Sequence, residues 1–124
     1  MKSSNAKVVA VIEARMGSSR LPGKILADIF GKPALERLIS RLQRCKELDD
    51  IVVATSTSPK DDSLAEWLKA NRIKFYRGSE DDVLQRVVDA SNSVNADIIV
   101  EITGDCILTD YELIDQGYNV GYID

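Results

Sequence analysis

The sequence predicts an α/β protein in which helices cover both faces of a mostly parallel sheet, giving three α/β/α layers. Short apolar runs, typical of strands buried on both faces, alternate with segments whose apolar residues recur at helical spacing. Strands and helices that alternate in this way form βαβ units with parallel strands. Because 124 residues suffice for one domain of ordinary size, a single domain is predicted over residues 1–124.

The first strand is predicted over residues 7–13, because the sequence KVVAVIE is apolar almost throughout. A loop rich in glycine, serine and basic side chains follows over residues 14–24. A helix is predicted to start at Pro33, since proline is favoured at the first helical position. The apolar residues of this helix recur at helical spacing and are Leu35, Leu38, Ile39 and Leu42.

Three further strands are predicted over residues 51–55, 74–76 and 97–103, the last with the sequence DIIVEIT. A helix lies between each pair of them. Ser79 stands three residues before Asp82, and this spacing predicts a capping box at the start of the second of these helices. The apolar residues of the two helices are Leu64, Ala65 and Leu68, and then Val83, Leu84, Val87 and Val88.

The composition excludes several kinds of chemistry. The chain has no histidine, so a Ser-His-Asp triad, a Cys-His pair and an HExxH zinc helix are all ruled out. Cys45 and Cys106 lack the spacing of a zinc site and predict two reduced thiols. No apolar run is long enough to span a membrane, and no signal peptide precedes Lys7, so a cytoplasmic protein without a membrane partner is expected.

Charge is distributed unevenly along the chain. Residues 1–46 hold ten lysines and arginines against three acidic residues, whereas residues 47–124 hold six against seventeen. The net charge of −4 argues against non-specific binding of nucleic acid, and no nucleic-acid partner is expected.

The loop over residues 14–24, ARMGSSRLPGK, is the most informative segment for function. It follows the carboxyl end of a predicted strand, where such sheets bind ligands. Small residues let backbone amides approach a phosphate, and the three cations would neutralise its charge. Gly17 and Gly23 are one residue too far apart for a P-loop, and Ile25 follows Lys24 where that motif has Ser or Thr. A polyphosphate cradle is therefore predicted, and a solvated basic loop is the alternative.

Polar residues also follow the second and fourth predicted strands. Asp105 comes just after residues 97–103, where its carboxylate could hold a hard cation together with phosphate oxygens. A simple turn residue is the equal alternative at that position. Thr55 and Ser56 either face the same site or form a turn. Asp82 and Arg86 are interpreted as a helix cap and an exposed i,i+4 ion pair.

Five segments, in this order, resemble the cytidylyltransferase family: EARMGSSRLPGK, GKPALERLISRL, IVVATSTSPKDD, YRGSEDDVLQRV and ITGDCILTDYELID. The match runs from about Lys7 to Asp115. It is nearest to the spore-coat polysaccharide biosynthesis protein F branch, with acylneuraminate and 3-deoxy-manno-octulosonate cytidylyltransferases as more distant relatives. The resemblance implies a nucleotide-diphospho-sugar transferase fold, which is Rossmann-like and similar to the GT-A domain.

The resemblance also implies a reaction, the transfer of CMP from CTP to a sugar or sugar acid with release of pyrophosphate. The pathway implied is cell-surface or spore-coat polysaccharide biosynthesis. Arg15 and Lys24 would contact the phosphates and Asp105 would bind Mg²⁺, and these three are the implied catalytic residues. The further implied nucleotide contacts are Ala14, Met16, Gly17, Ser18, Arg20, Arg77 and Ser79.

The chain departs from the family after Asp115, where little matches and where family members continue. We expect it to lack the C-terminal half of the family, which carries much of the acceptor pocket. Two alternatives follow, a non-catalytic nucleotide-binding half-domain that needs a partner and a glycosyltransferase of the same fold. A sheet edge that the absent half would cover also predicts self-association into a homo-oligomer.

Overall fold

Four parallel strands form one sheet in this computed structural model, which describes residues 6–16, 28–29 and 32–103. In chain order the strands are β1 (Val8–Glu13), β2 (Asp28–Ile29), β3 (Lys32–Pro33), β4 (Asp50–Ser56), β5 (Phe75–Gly78) and β6 (Ile98–Thr103). The sheet has the order β5-β4-β1-β6, and every neighbouring pair in it is parallel. The short β2 and β3 pair with each other in antiparallel fashion.

Helices cover both faces of this sheet, as predicted. They are α1 (Ala34–Leu42), α2 (Asp62–Ala70) and α3 (Val83–Ser93). Alternate side chains of β1 enter two separate apolar clusters, one with α1 and α2 and the other with α3. The three-layer α/β/α prediction is therefore confirmed. No helix within the described ranges is long and apolar enough to cross a membrane.

The order of the strands reverses at β1. From β1 the chain moves to β4 and β5 on one side, and it then crosses back to place β6 on the other side. The register pairs Glu13 with Thr103, the last residues of β1 and β6. Segments that leave these two strands therefore start as neighbours at the switch point, the place where ligands bind in doubly wound sheets.

The predicted helix starts need two corrections. Helix α1 begins at Ala34, and Pro33 is its N-cap residue, because Pro33 still pairs with Asp28. Helix α3 is capped by Asp82, whose carboxylate accepts a hydrogen bond from Gln85 N at 3.0 Å. Ser79 instead closes the preceding turn, since its Oγ accepts from Asp82 N at 2.9 Å. The capping box predicted from Ser79 is thus wrong, whereas the helix cap interpreted at Asp82 is confirmed.

Burial on α3 also differs from the prediction. Val87 and Ala90 face the sheet, whereas the side chain of Leu84 is 71% exposed. Arg86, the residue before Val87, is fully buried instead. Cys45 is a reduced thiol buried in the core, in agreement with the prediction. Cys106 lies outside the described residues.

Candidate functional site

The segment that leaves β1 is fixed at two points. Ala14 is buried, and its N–H donates to Ala54 O at 3.1 Å, which extends the pairing of β1 with β4 by one residue. The N–H of Met16 donates to Asp61 Oδ1 at 2.7 Å. Arg15 lies between these two anchored residues, and its side chain is exposed. Of these three predicted site residues, Arg15 therefore offers its side chain to a ligand, while the amides of Ala14 and Met16 are engaged with the protein.

Several predicted site residues cannot be placed. Asp105 and four residues of the basic loop lie outside the described residues, the four being Gly17, Ser18, Arg20 and Lys24. Their predicted roles stay predictions. The two segments nevertheless start from neighbouring positions in the fold. The basic loop follows Glu13 and the segment with Asp105 follows Thr103, and these two residues are paired at the strand ends.

Asp61 is a site residue that the sequence did not reveal. It ends a short 3-10 helix (Pro59–Asp61) after β4, and it is only 2% exposed. Besides the Met16 amide, its carboxylate accepts a hydrogen bond from Ser56 Oγ. Ser58 is the N-cap residue of the 3-10 helix, because its Oγ accepts from Lys60 N at 3.3 Å and its carbonyl accepts from Asp61 N at 2.9 Å. The β4–α2 connection is thereby bonded to the first turn after β1.

Arg77 secures the same connection from β5. Its Nε donates to Ser56 O at 2.8 Å, and its Nη2 donates to Ser58 O at 3.0 Å and Asp62 Oδ1 at 2.8 Å. These bonds join the ends of two neighbouring strands across the carboxyl edge of the sheet. The observed contacts of Arg77 are structural, and its predicted nucleotide contact stays a prediction.

Thr55 and Ser56, at the end of β4, both turn inward. Thr55 is fully buried, and its hydroxyl has no hydrogen-bond partner among the residues that the structure describes. Ser56 is equally buried and uses its hydroxyl both to donate to Asp61 and to accept from Ser58 N at 3.1 Å. Of the two interpretations offered for this pair, turn formation therefore describes Ser56.

Arg86 differs most from its predicted place. The sequence interpretation made it part of an exposed ion pair with Asp82, but its side chain is fully buried and its Nη2 lies 3.5 Å from Glu13 Oε1. Its Nη1 donates to Ser79 O at 2.8 Å. Neither Nε nor Nη2 has a hydrogen-bond partner within the described ranges. The ion pair of Arg86 with Glu13 therefore lies beneath the carboxyl edge, at the end of β1.

Gly78 makes room for this arginine. A Cβ at position 78 would lie 3.1 Å from Arg86 Cγ and 3.1 Å from Tyr76 Cε2, closer than ordinary packing allows. The glycine thus lets the guanidinium reach the turn after β5, where Ser79 leads into α3. The predicted contact residue Ser79 is exposed at this turn.

Three arginines and three carboxylates, those of Glu13, Asp61 and Asp62, lie at or beneath this edge. Arg15 is exposed, Arg77 is partly exposed, and Arg86 is buried behind them. In the part of the chain that the structure describes, no group of three or more acidic or cysteine side chains could hold a metal ion. Because Arg77 is paired with Asp62 and Arg86 with Glu13, the positive charge that the described edge offers to an anionic ligand comes mainly from Arg15.

A family model described as cytidylyltransferase matches residues 9–119 of the chain. An uncharacterised protein of Methanocaldococcus jannaschii is 44% identical over 110 residues, covering 89% of this chain and 45% of that protein. The spore coat polysaccharide biosynthesis protein SpsF of Bacillus subtilis is 37% identical over 112 residues, covering 87% of this chain and 47% of that protein.

A 3-deoxy-manno-octulosonate cytidylyltransferase of Geobacter metallireducens is 32% identical over 112 residues, covering 89% of this chain and 42% of that enzyme. The chain thus spans less than half the length of each of these three curated relatives.

Two solved structures share the fold closely. A cytidylyltransferase from Leptospira borgpetersenii superposes with a TM-score of 0.85 at 38% identity, covering 97% of this chain and 50% of that one. CMP:2-keto-3-deoxy-manno-octonic acid synthetase, complexed with CTP, superposes with a TM-score of 0.80 at 30% identity, covering 96% of this chain and 48% of that one. The parallel sheet with helices on both faces is therefore the fold of these proteins.

Proposed function

Because the chain belongs to the cytidylyltransferase family, we propose that it binds CTP and transfers the CMP group to a sugar or sugar acid, releasing pyrophosphate. The observation that carries the proposal is the pairing of Glu13 with Thr103 at the ends of β1 and β6. The basic loop and Asp105 follow these residues, so both segments start from the switch point where sheets of this class bind ligands.

In this proposal, Arg15 and Lys24 neutralise the phosphates that leave as pyrophosphate. The sugar hydroxyl attacks the α-phosphorus in line, so the protein mainly orients the reactants and compensates charge. Asp105 would hold Mg²⁺, which supplies positive charge to the phosphate oxygens when bound. One carboxylate suits this ion, because Mg²⁺ is commonly held by one or two carboxylates together with phosphates and water.

The nucleoside is proposed to lie against the start of the basic loop and the turn after β5. Since the amides of Ala14 and Met16 donate to protein acceptors, these residues would contact it through carbonyl or side-chain atoms. Arg77 would contribute by holding the β4–α2 connection beside the ligand. The remaining proposed contacts are Gly17, Ser18, Arg20 and Ser79.

The proposed acceptor is a sugar or sugar acid used in cell-surface or spore-coat polysaccharide synthesis in the cytoplasm. Two relatives support this class of acceptor, the spore-coat protein of Bacillus subtilis and the sugar-acid cytidylyltransferase of Geobacter metallireducens. The CTP complex of the synthetase with the same fold supports the choice of nucleotide.

A second candidate function is nucleotide binding without transfer by these 124 residues alone. The observation that favours it is that the chain covers 42–47% of the curated relatives compared above. Groups that bind the acceptor in those relatives can lie in the part that the chain does not match. Both candidate functions require the CTP site, but only the first includes transfer of the CMP group.

Pyrophosphate release from CTP and Mg²⁺, with 3-deoxy-manno-octulosonate as the trial acceptor, distinguishes the two candidates. Transfer predicts release of pyrophosphate that depends on the acceptor, whereas binding alone predicts saturation by CTP without release of pyrophosphate.

A Lys24→Ala variant should weaken CTP binding much more than CMP binding, because it removes the positive charge that would neutralise the leaving phosphates. Equal affinities of the unaltered chain for CMP and CTP would contradict the proposed role of the basic loop.

A further inference from the structure

We infer that Asp61 is a positioning residue that fixes the segment carrying Arg15, and thereby sets the affinity of the site for a nucleoside triphosphate. This inference rests on the proposed function. Asp61 does not reach the ligand edge itself, because its carboxylate is buried and both of its oxygens accept hydrogen bonds from the protein.

The geometry restrains Arg15 from both sides. The amide before it, of Ala14, is held by Ala54 O at 3.1 Å, and the amide after it, of Met16, is held by Asp61 Oδ1 at 2.7 Å. Without the second bond the chain would be tethered only on the side of β1. A backbone segment that is already fixed on both sides of a cation loses less conformational entropy when the cation binds a phosphate than a segment that is free to move.

The orientation of the carboxylate is itself controlled. Ser56 Oγ donates to Asp61 and at the same time accepts from Ser58 N at 3.1 Å, so the hydroxyl is fixed by the end of β4. Asp61 also belongs to the 3-10 helix that Pro59 begins. The anchor is thus attached to the sheet through β4, next to the strand whose exit it restrains.

The negative charge of Asp61 repels the proposed ligand, so removing the charge and removing the hydrogen-bond acceptor should change the affinity for CTP in opposite directions. A carboxylate near phosphates repels them, so removing its charge alone should strengthen the binding of CTP. Removing the hydrogen-bond acceptor should instead weaken it. A hydrogen bond to a charged group contributes about 1.5–3 kcal/mol, which corresponds to roughly ten- to a hundredfold in affinity if the bond is needed for the bound geometry.

The opposite end of β1 provides a matched control. There Asp49 Oδ2 accepts from Val8 N at 2.7 Å, so a carboxylate again holds a backbone amide, here that of the first residue of β1 at the amino edge of the sheet. Asp49→Ala should lower stability without changing the affinity for CTP, because its bond lies at the far end of β1. Loss of CTP affinity in Asp49→Ala equal to that in Asp61→Ala would show a general effect of destabilising β1 and would overturn the inference.

The test measures CTP and CMP affinity by isothermal titration for the unaltered chain and for Asp61→Ala, Asp61→Asn and Ser56→Ala. We expect Asp61→Ala to weaken CTP binding by about tenfold or more and CMP binding much less. Asp61→Asn keeps an acceptor for the Met16 amide and should bind CTP at least as well as the unaltered chain. Ser56→Ala should fall between the two, and it keeps the test decisive if Asp61→Ala does not fold.

A double-mutant cycle with Arg15→Ala shows whether Asp61 acts through Arg15. Effects that depend on one another are not additive, so Asp61→Ala should cost little further CTP affinity once Arg15 has been removed. Fully additive losses would overturn the inference, and so would an Asp61→Asn variant as weak as Asp61→Ala. Failure of the unaltered chain to bind CTP would instead overturn the proposed function itself, so the two failures are distinguishable.

Discussion

At the scale of single residues, burial decides what a charged side chain does, and sequence spacing gives little information about burial. Asp82 caps α3, as interpreted from the sequence, but Arg86 is not exposed in an ion pair with it and lies fully buried against Glu13. Asp61 acts on Met16, 45 positions earlier in the chain, which no local pattern reveals. The exposed Arg15 could be predicted because its loop concentrates cations and small residues.

The ion pair of Arg86 gives a stability prediction. Glu13→Gln should destabilise the fold by about 2 kcal/mol, because a buried guanidinium loses its charge partner. Urea unfolding at neutral pH measures the difference. Glu66→Gln is the control, since Glu66 is exposed on α2, and its effect should stay within about 0.5 kcal/mol. Equal effects of the two substitutions would contradict the importance of the pair.

Asp50 predicts how stability depends on pH. Burial raises the pKa of Asp50, but hydrogen bonds from Lys74 and from the Ile51 amide, with the charges of Lys74 and Lys7, outweigh it, so the pKa lies below its usual value. Its stabilisation is therefore complete above the unfolded pKa of about 3.9 and is lost as the pH falls through the folded pKa.

The unfolding free energies of the unaltered chain and Asp50→Asn should thus differ at pH 7 and converge at an acidic pH below the folded pKa of Asp50. Urea titrations at the two pH values measure this difference. A gap that stays constant between them would show that the charge of Asp50 is not responsible. Glu66→Gln should show no gap at either pH, since Glu66 is exposed.

At the scale of elements, apolar periodicity predicts strands and helices well and their ends less well. Strands β1, β4 and β6 were predicted within one residue at each end, because they are continuous apolar runs between turn residues. The sequence left two candidates for the cap of α3, because the polar residues Ser79 and Asp82 can both accept a capping bond. Only the geometry shows which of them lies at the first helical turn.

This assignment can be tested on the helix itself. Asp82→Ala should destabilise the fold by about 1 kcal/mol, because the Gln85 amide loses its acceptor. Asp81→Ala, at the neighbouring exposed position, should change stability by less than about 0.5 kcal/mol. Thermal or urea unfolding of both variants gives the comparison, and a loss in Asp81→Ala as large as in Asp82→Ala would place the cap elsewhere.

At the scale of the whole molecule, topology explains why the candidate site could be predicted in outline. Alternation of strands and helices implies a parallel sheet, and a parallel sheet implies ligands at its carboxyl edge. The strand order could not be read from the sequence, yet it decides that the segments after β1 and β6 begin side by side. The interlocked network of Asp61, Ser56 and Arg77 depends on this order as well.

A thermal-unfolding series with CTP, UTP, ATP and GTP, each with and without Mg²⁺, tests the proposed triphosphate site and its preference for CTP. A ligand at a hundred times its dissociation constant stabilises a protein by ~2.7 kcal/mol, which shifts the midpoint of a small domain by several degrees. We expect the largest shift of the unfolding midpoint with CTP and Mg²⁺. No shift with any nucleotide, or equal shifts with all four, would contradict the proposed CTP site.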